Sequence, residues 1–199
     1  MALLLHLETA TKRCSVSLSD GFQLVACKEL SEENFNHAEK LHVFIEEILK
    51  ENNYKFSDLS AICVSKGPGS YTGLRIGVSS AKGLAYTLDI PLISINTLEV
   101  LARQLKIENG TIIPMIDARR MEVFTAHYST NYDCIKETYA LVLETDSFDA
   151  FEGILHFVGD GATKCKEMFS DGRFVYHDDI VYPSSKNMIE LGFQKFIDK

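Results

Sequence analysis

The stretch KGPGSYTGLRIGVSSAKGLAY, residues Lys66–Tyr86, places five glycines among small and hydroxyl-bearing residues. It follows the short apolar run Ala61–Ser65, which predicts a buried strand. From Thr72 to Leu88 the residues predict a helix, with Ser70 or Thr72 available to cap its first turn. The stretch is therefore either a loop that holds a phosphate or the start of a helix that presses closely on a neighbour.

The spacing of the glycines fits neither of the two common phosphate loops. A Walker A loop has a Lys and then a Ser or Thr after its second glycine, and this stretch lacks that pair. Gly67, Gly69 and Gly73 are spaced G-x-G-x-x-x-G, one residue longer than the dinucleotide fingerprint. A generic anion site around Gly69 and Ser70 stays open, because the first amides of a helix point into the preceding loop.

Small residues recur every four positions along the predicted helix, at Gly73, Gly77, Ala81 and Ala85. They form one nearly side-chain-free stripe, because residues four apart lie on the same side of a helix. Each interior glycine costs the helix about 1 kcal/mol relative to alanine, and close packing would offset that cost. The stripe lies either against the protein's own sheet and first helix or against a partner, and both alternatives remain open.

The whole chain predicts one order of elements used twice, β-β-β-α-β-α-β-α. In the first half the predicted elements are the strands Ala2–Glu8, Cys14–Leu18, Phe22–Leu30, Ala61–Ser65 and Pro91–Ile95, the helices His37–Lys50 and Thr72–Leu88, and a helix that opens at Asn96. In the second half they are the strands Ile112–Ile116, Met121–His127, Cys134–Leu143, Leu155–Val158 and Phe174–Tyr176, and the helices Asp146–Glu152, Ala162–Phe169 and Ser184–Ile197.

The residues that end corresponding strands in the two halves are also alike. An acidic residue, Glu8 or Asp117, ends the first strand of each half, and a G-x-G motif follows each fourth strand. A duplicated unit of this kind is typical of the two-lobed actin-like (ASKHA, ribonuclease-H-like) α/β architecture, whose ligands lie in the cleft between lobes. We therefore expect an N-terminal lobe over residues 1–108 and a smaller, reduced C-terminal lobe over residues 109–199.

Composition and charge exclude several classes of protein. The formal net charge of −8 and pI of about 5.2 argue against a free-standing nucleic-acid binder, so a partner would hold any RNA. The five cysteines are widely spaced without a C-x-x-C pair, which argues against a disulfide framework and a zinc cluster. With no apolar run long enough for a membrane span, the expected location is the cytoplasm.

The residues that commonly carry catalysis do not form a convincing set. His37 and His42 lie five positions apart, about 140° around a helix, so they cannot act like the histidines of H-E-x-x-H. Glu8 either orients a metal or caps the turn after it, and Asp117 is followed by Arg119 and Arg120, which can grip a carboxylate or phosphate. The sequence predicts no catalytic residue and no metal site. It leaves Glu8, Gly69, Ser70, Asp117 and Arg120 as the candidates for a cleft or anion site.

Four stretches together resemble the TsaB family, also called YeaZ, of the glycoprotease-like superfamily. They are LLHLETATKRCSVSL, HAEKLHVFIEEIL, KGPGSYTGLRIGVSSAKGLAY with DIPLISINTLEVLA, and PMIDARRMEVFTAHY. The resemblance runs from residue 3 to about residue 128, and the G-P-G-S-[FY]-T-G-L-R-I-G core is highly specific. Glu8 departs from the family, which commonly has Asp at that position.

The resemblance implies a non-catalytic partner subunit in the N6-threonylcarbamoyladenosine modification of ANN-decoding tRNAs. The family binds and activates its paralogue TsaD, the transferase, and the ATPase TsaE docks on that pair. ATP and metal are then expected on the partner proteins rather than as cofactors of this chain, and tRNA is reached only through the complex. Alone, the chain is expected to form a homodimer.

Carried onto this sequence, the partner-binding surface is formed by two helices of the N-terminal lobe. The residues implied are His37, Leu41, Phe44, Ile45, Ile48, Thr72, Gly73, Leu74, Gly77, Val78, Ala81 and Leu84. On this hypothesis Leu74→Asp or Gly77→Leu leaves the monomer folded and abolishes the complex. The alternative is an actin-like enzyme that acts alone, a metallopeptidase or a phosphotransferase.

Overall fold

The computed structural model describes residues 2–31 and 37–198, which form two compact units. The first unit comprises Met1–Thr97 together with Ser184–Lys199, and the second comprises Leu98–Pro183. These units differ from the expected division after residue 108. Leu98, Leu101 and Leu105 already pack in an apolar cluster of the second unit, and the closing segment packs with the first.

The first unit is a five-stranded sheet in the order β3-β2-β1-β4-β5. Its strands are β1 (Leu3–Glu8), β2 (Arg13–Asp20), β3 (Gln23–Ser31), β4 (Leu59–Ser65) and β5 (Leu92–Ile95). Its helices are α1 (His37–Glu51), α2 (Tyr71–Leu88), the start of α3 (Thr97–Ala102) and α4 (Ile189–Ile197). β1 pairs antiparallel with β2 and parallel with β4, so Leu5 lies between Leu18 and Ile62.

Every residue of β1 is buried because both faces of the sheet are covered. Leu5 and Leu7 pack with Leu41 and Ile45 of α1 in one apolar cluster, which also includes Ala81 of α2. On the other face, α4 brings Gly192 against the ring of His6. The loop after β1 therefore lies at the N-termini of α1 and α2, close to the candidate residues Glu8, Gly69 and Ser70.

The second unit repeats the topology of the first, in the order β10-β9-β6-β7-β8. Its strands are β6 (Thr111–Asp117), β7 (Glu122–Tyr128), β8 (Cys134–Val142), β9 (Leu155–Val158) and β10 (Phe174–Tyr176). β6 takes the place of β1, with an antiparallel neighbour, β7, on one side and a parallel neighbour, β9, on the other. The predicted duplication and the actin-like α/β fold class are confirmed.

Three predicted helices of the second half were wrong in whole or in part. Asp146–Glu152 is a series of turns, because Phe148 and Phe151 fold inward onto the aromatic core instead of following a helical face. Ala162–Phe169 is replaced by a 3₁₀ helix over Asp160–Cys165. The closing helix is α-helical only over Ile189–Ile197, after a 3₁₀ turn at Ser185–Met188.

The closing segment is held by hydrogen bonds to the sheet of the first unit. The backbone N–H of Ser185 donates to Ser15 Oγ at 3.0 Å, and Ser184 Oγ donates to Glu29 at 2.6 Å. These bonds compete with a regular helical start at Ser184. No helix among residues 2–31 and 37–198 is long and apolar enough to cross a membrane.

Candidate protein-interaction surface

α1 turns most of its predicted partner residues inward. The spacing of Leu41, Ile45 and Ile48 gives an apolar stripe, and all three side chains are fully or almost fully buried in the core of the first unit. His37 is also buried, and its Nε2 lies 2.7 Å from the Thr11 carbonyl oxygen. Phe44 is half-buried, so these residues chiefly hold α1 on its own sheet.

α2 begins at an N-cap, Ser70, whose Oγ accepts a hydrogen bond from the Gly73 N–H at 3.2 Å. The stripe Gly73, Gly77, Ala81 and Ala85 is buried in the first unit. A Cβ on Gly73 would overlap the Thr9 carbonyl oxygen, and one on Gly77 would overlap the Thr9 hydroxyl. Packing within the chain is therefore the correct alternative for this stripe.

The remaining predicted partner residues of α2 are not all buried. Leu74, Val78 and Leu84 are half-buried, and Val78 and Leu84 pack on the core cluster. Thr72 is exposed on the first turn. The three apolar side chains therefore offer only part of their surface to a partner, whereas Thr72 is accessible.

A second small-residue stripe, which sequence reasoning missed, lies on the outer side of α2. We call Ser79, Gly83 and Thr87 the outer stripe; all three are exposed and four residues apart. Apart from the helix's own backbone, a Cβ on Gly83 would have no atom within 4 Å. The sequence contains this stripe as S-x-x-x-G-x-x-x-T. The prediction of close packing considered only the longer stripe of Gly and Ala, which lies on the opposite, buried side of the helix.

The outer stripe borders a groove of about 710 Å³ between α1, α2 and the turn before β4. Its lining residues are His42, Phe56, Ser79, Ser80, Gly83, Leu84, Thr87 and Leu88. Ser80 Oγ and His42 Nε2, 3.2 Å apart, join the two helices across it. The surface therefore combines an apolar floor with a few polar groups.

The two helices beside this groove also carry charged and exposed aromatic residues. α1 carries four glutamates and two lysines, whereas α2 carries Arg75 and Lys82 and no acidic residue. Tyr86 is 90% exposed and Tyr71 is 69% exposed, with the Arg75 guanidinium 3.9 Å from the Tyr71 ring centre. Exposed tyrosine and arginine are typical of protein interfaces.

The candidate anion site at the start of α2 is filled by the chain itself. Gly69 lies against Ala10, and the Ser70 N–H donates to the Ala10 carbonyl at 2.6 Å. Glu8 is fully buried, and its Oε1 accepts from the Ala10 N–H at 2.7 Å and from Ser65 Oγ at 3.0 Å. Burial raises the pKa of the Glu8 carboxyl to about 7, although its hydrogen bonds oppose the shift. Glu8 thus caps the turn after β1.

Asp117 and Arg120 belong to the β6–β7 hairpin of the second unit. Asp117 Oδ1 accepts from the Arg119 N–H at 2.5 Å and from Lys164 Nζ at 2.6 Å, so the carboxylate orders the turn. Arg119 and Arg120 are exposed, with φ values of 70° and 47°. Within the described residues, no three or more His, Cys, Asp or Glu side chains come together as metal ligands.

The sequence and the fold of this chain are similar to those of known proteins. The family model described as TsaD, tRNA N6-adenosine threonylcarbamoyltransferase, matches residues 31–196. A protein named tRNA threonylcarbamoyladenosine biosynthesis protein TsaB, from Buchnera aphidicola subsp. Baizongia pistaciae, is 30% identical over 199 residues, covering 94% of this chain and 87% of the relative. The chain belongs to the TsaB family. The resemblance stated from the sequence is confirmed.

Two further TsaB-family proteins cover nearly the whole chain. The Escherichia coli K12 protein named TsaB is 28% identical over 204 residues, 98% of this chain and 87% of its own length. The solved structure titled YeaZ from Pseudomonas aeruginosa is 24% identical, has a TM-score of 0.86, and is matched over 100% of this chain and 93% of that one. The TsaB relatives are named as biosynthesis proteins of threonylcarbamoyladenosine, not as transferases.

Proposed function

We propose that this chain is a non-catalytic subunit for N6-threonylcarbamoyladenosine modification of ANN-decoding tRNAs. It binds and activates the TsaD transferase paralogue through the outer faces of α1 and α2, and the TsaE ATPase docks on that pair. The observation that carries the proposal is the exposed Gly83, in the outer stripe beside the groove.

Gly83 lowers the stability of α2, and no contact within the described part of the chain compensates for that loss. An interior helical glycine loses about 1 kcal/mol relative to alanine. Thr9 approaches Gly73 and Gly77 closely, which accounts for those glycines, whereas Gly83 faces open space. A partner helix that approaches the outer stripe closely would gain the contacts that a side chain at residue 83 would block. This favours helix-to-helix docking over the binding of a small ligand.

The charges of the two helices also support self-association through the same face. A two-fold axis brings the same patch of both copies together and places α1 of one copy beside α2 of the other. Because Glu47 and Glu51 already pair with Lys28 of β3, Glu39 and Glu46 are the α1 glutamates that would meet Arg75 and Lys82 of α2. The homodimer and the complex with the paralogue therefore compete for one surface.

The remaining parts of the proposal follow from charge and from the filled loop. With a formal net charge of −8, the chain reaches tRNA through its complex rather than alone. Because Ala10 packs into the loop before α2, we assign ATP and metal to the partner proteins. The location in which it works is the cytoplasm, with its tRNA substrates.

The test is threonylcarbamoyl transfer to tRNA by the purified paralogue from the same organism, with and without this chain. Gly83→Leu should abolish both co-purification and transfer, because the leucine fills the space needed by the partner helix. Gly172→Leu is the matched control, since a Cβ at that exposed glycine of the second unit also meets nothing within 4 Å. Full transfer without this chain, or normal complex formation by Gly83→Leu, contradicts the proposal.

A further inference from the structure

Glu8 is the one fully buried carboxyl group among the described residues, and it touches two elements at once. Its Oε1 is shared by the Ala10 N–H of the loop after β1 and by Ser65 Oγ at the end of β4. The other oxygen, Oε2, is buried without a hydrogen-bond partner. A carboxyl in this state is costly, so its presence calls for an explanation beyond filling space.

The loop bonded to Glu8 also makes hydrogen bonds to the N-terminal ends of α1 and α2. We call Thr9, Ala10 and Thr11 the anchor loop. The Ala10 carbonyl accepts from Ser70, the N-cap of α2, at 2.6 Å, and Thr9 Oγ1 donates to the Gly73 carbonyl at 2.8 Å. At the first residue of α1, His37 Nε2 lies 2.7 Å from the Thr11 carbonyl.

These contacts form a short chain of hydrogen bonds from the carboxyl to the helices. The Ala10 N–H donates to Glu8, and the Ala10 carbonyl accepts from Ser70, so one bond holds each of the two peptide groups that flank Ala10. Buried hydrogen bonds of this kind restrict the positions that the loop can adopt, because breaking one leaves a buried polar group without a partner. The contacts of Ala10 therefore connect Glu8 to the start of α2, and the contact of Thr11 connects the same loop to α1.

We propose that Glu8 is a positioning residue for partner binding: through the anchor loop its carboxyl sets the placement of α1 and α2, whose outer faces form the association surface. This inference rests on the proposed function for what the helices bind. It gives the acidic residue at the end of β1 a role in protein association instead of in holding a metal or phosphate.

Among the described residues, the ionisable groups that bear on Glu8 and its loop are Cys14 and His37. From β2 the Cys14 thiol faces it, and burial raises the pKa of that thiol to about 12, so Cys14 is neutral. From β4 and the anchor loop the groups that act on it are uncharged: the Ser65 hydroxyl and the backbone of Thr9 and Ala10. His37 contacts the other end of the anchor loop, at Thr11, and burial lowers the pKa of its imidazole.

The first experiment compares Glu8→Gln with Glu8→Met in binding to the TsaD paralogue. Gln keeps an oxygen that accepts from Ala10 and Ser65, whereas Met has nearly the same volume and lacks the carboxyl oxygens. We expect Gln to bind within about twofold of the parent and Met to bind at least about tenfold more weakly. Equal binding by the parent and both variants would mean that Glu8 only fills space, and would overturn the inference.

The second experiment uses only the parent and the conservative variant, so it does not depend on the folding of Glu8→Met. Between pH 5 and 9, the amide NMR shifts of Ala10, Ser70 and Gly73 should follow one common midpoint, which disappears in Glu8→Gln. The amide of Leu191 in α4 serves as the control. Shifts at Ser70 and Gly73 that ignore the titration of Glu8 would overturn the inference.

The two proposals fail in different ways. If the parent chain does not bind the paralogue, the proposed function fails, while the NMR titration still reports whether Glu8 positions α2. If the parent binds and Glu8→Met binds equally well, the proposed function stands and the positioning role of Glu8 is wrong.

Discussion

A single carboxyl group, that of Glu8, links the stability of the first unit to pH. Its burial raises the carboxyl pKa from 4.5 to about 7, and the group has no cation among its hydrogen-bond partners. Between those two pH values the folded chain holds a proton that the unfolded chain has lost. Stability contributed by this proton is fully present below about pH 4.5 and is lost as the pH rises through about 7.

The prediction is that the parent chain becomes less stable relative to Glu8→Gln as the pH rises from 5 to 8. The expected change in the difference between their free energies of unfolding is about 3 kcal/mol, since each pKa unit is worth about 1.4 kcal/mol. Urea unfolding of both proteins at several pH values measures it. Parallel pH profiles for the two proteins would show that Glu8 titrates normally in the folded state.

At the level of secondary structure, α2 uses small residues for two different purposes on two sides. Gly73 and Gly77 allow Thr9 to lie against the helix, whereas Gly83 leaves open space on the outside. The same residue type therefore has opposite consequences when it is replaced. This contrast also corrects the expectation that Gly77→Leu leaves the monomer folded, because the leucine would collide with Thr9.

We predict that Gly83→Ala raises the free energy of unfolding by up to about 1 kcal/mol, because alanine favours the helix and meets no neighbour. Gly77→Ala should lower it by about 1–3 kcal/mol, because the new methyl group overlaps the Thr9 hydroxyl. Chemical denaturation of the two variants under conditions that keep the chain monomeric tests both signs. A loss of stability in Gly83→Ala would mean that Gly83 faces a neighbour within its own fold.

In the molecule as a whole, the end of the chain completes the unit with which the chain begins. Ser185 bonds to Ser15 of β2 with Oγ atoms 2.7 Å apart, and Gly192 lies against His6 of β1. The Phe22 ring at the β2–β3 turn meets the Phe193 ring edge-on, with centroids 4.6 Å apart. One face of the first sheet is thus covered by residues far away in sequence.

A chain that stops after Pro183 should therefore lose the first unit's stability while retaining the strands of the second. The apolar and serine-lined face of β1 and β2 would be exposed to water, which removes both burial and hydrogen bonds. Hydrogen exchange followed by mass spectrometry should show loss of protection in β1 and β2, with β6 and β9 still protected. Unchanged protection in β1 would indicate that α4 is dispensable for folding.

Much of the fold could be predicted because local patterns follow the elements closely. The predicted strand Cys14–Leu18 lies within β2, and the predicted helix His37–Lys50 matches α1, in which Leu41, Ile45 and Ile48 have helical spacing. The helices predicted at Asp146–Glu152 and Ala162–Phe169 failed because aromatic burial and 3₁₀ geometry outweighed weak helical patterns there. In short segments the summed helix propensity is small, so tertiary contacts decide the conformation.

The amino-acid sequence by itself determined the α/β class, the duplicated order of strands, and the TsaB family. These depend on residue spacing and motif identity, which are local. Only the tertiary structure decided which side of α2 is free, that Glu8 caps a turn, and that residues from Ser184 onward return to the first unit. The physical reason is that burial depends on neighbours distant in sequence: Thr9 on Gly77, and Ser15 on Ser185. Helical periodicity identifies the stripes but not what covers them.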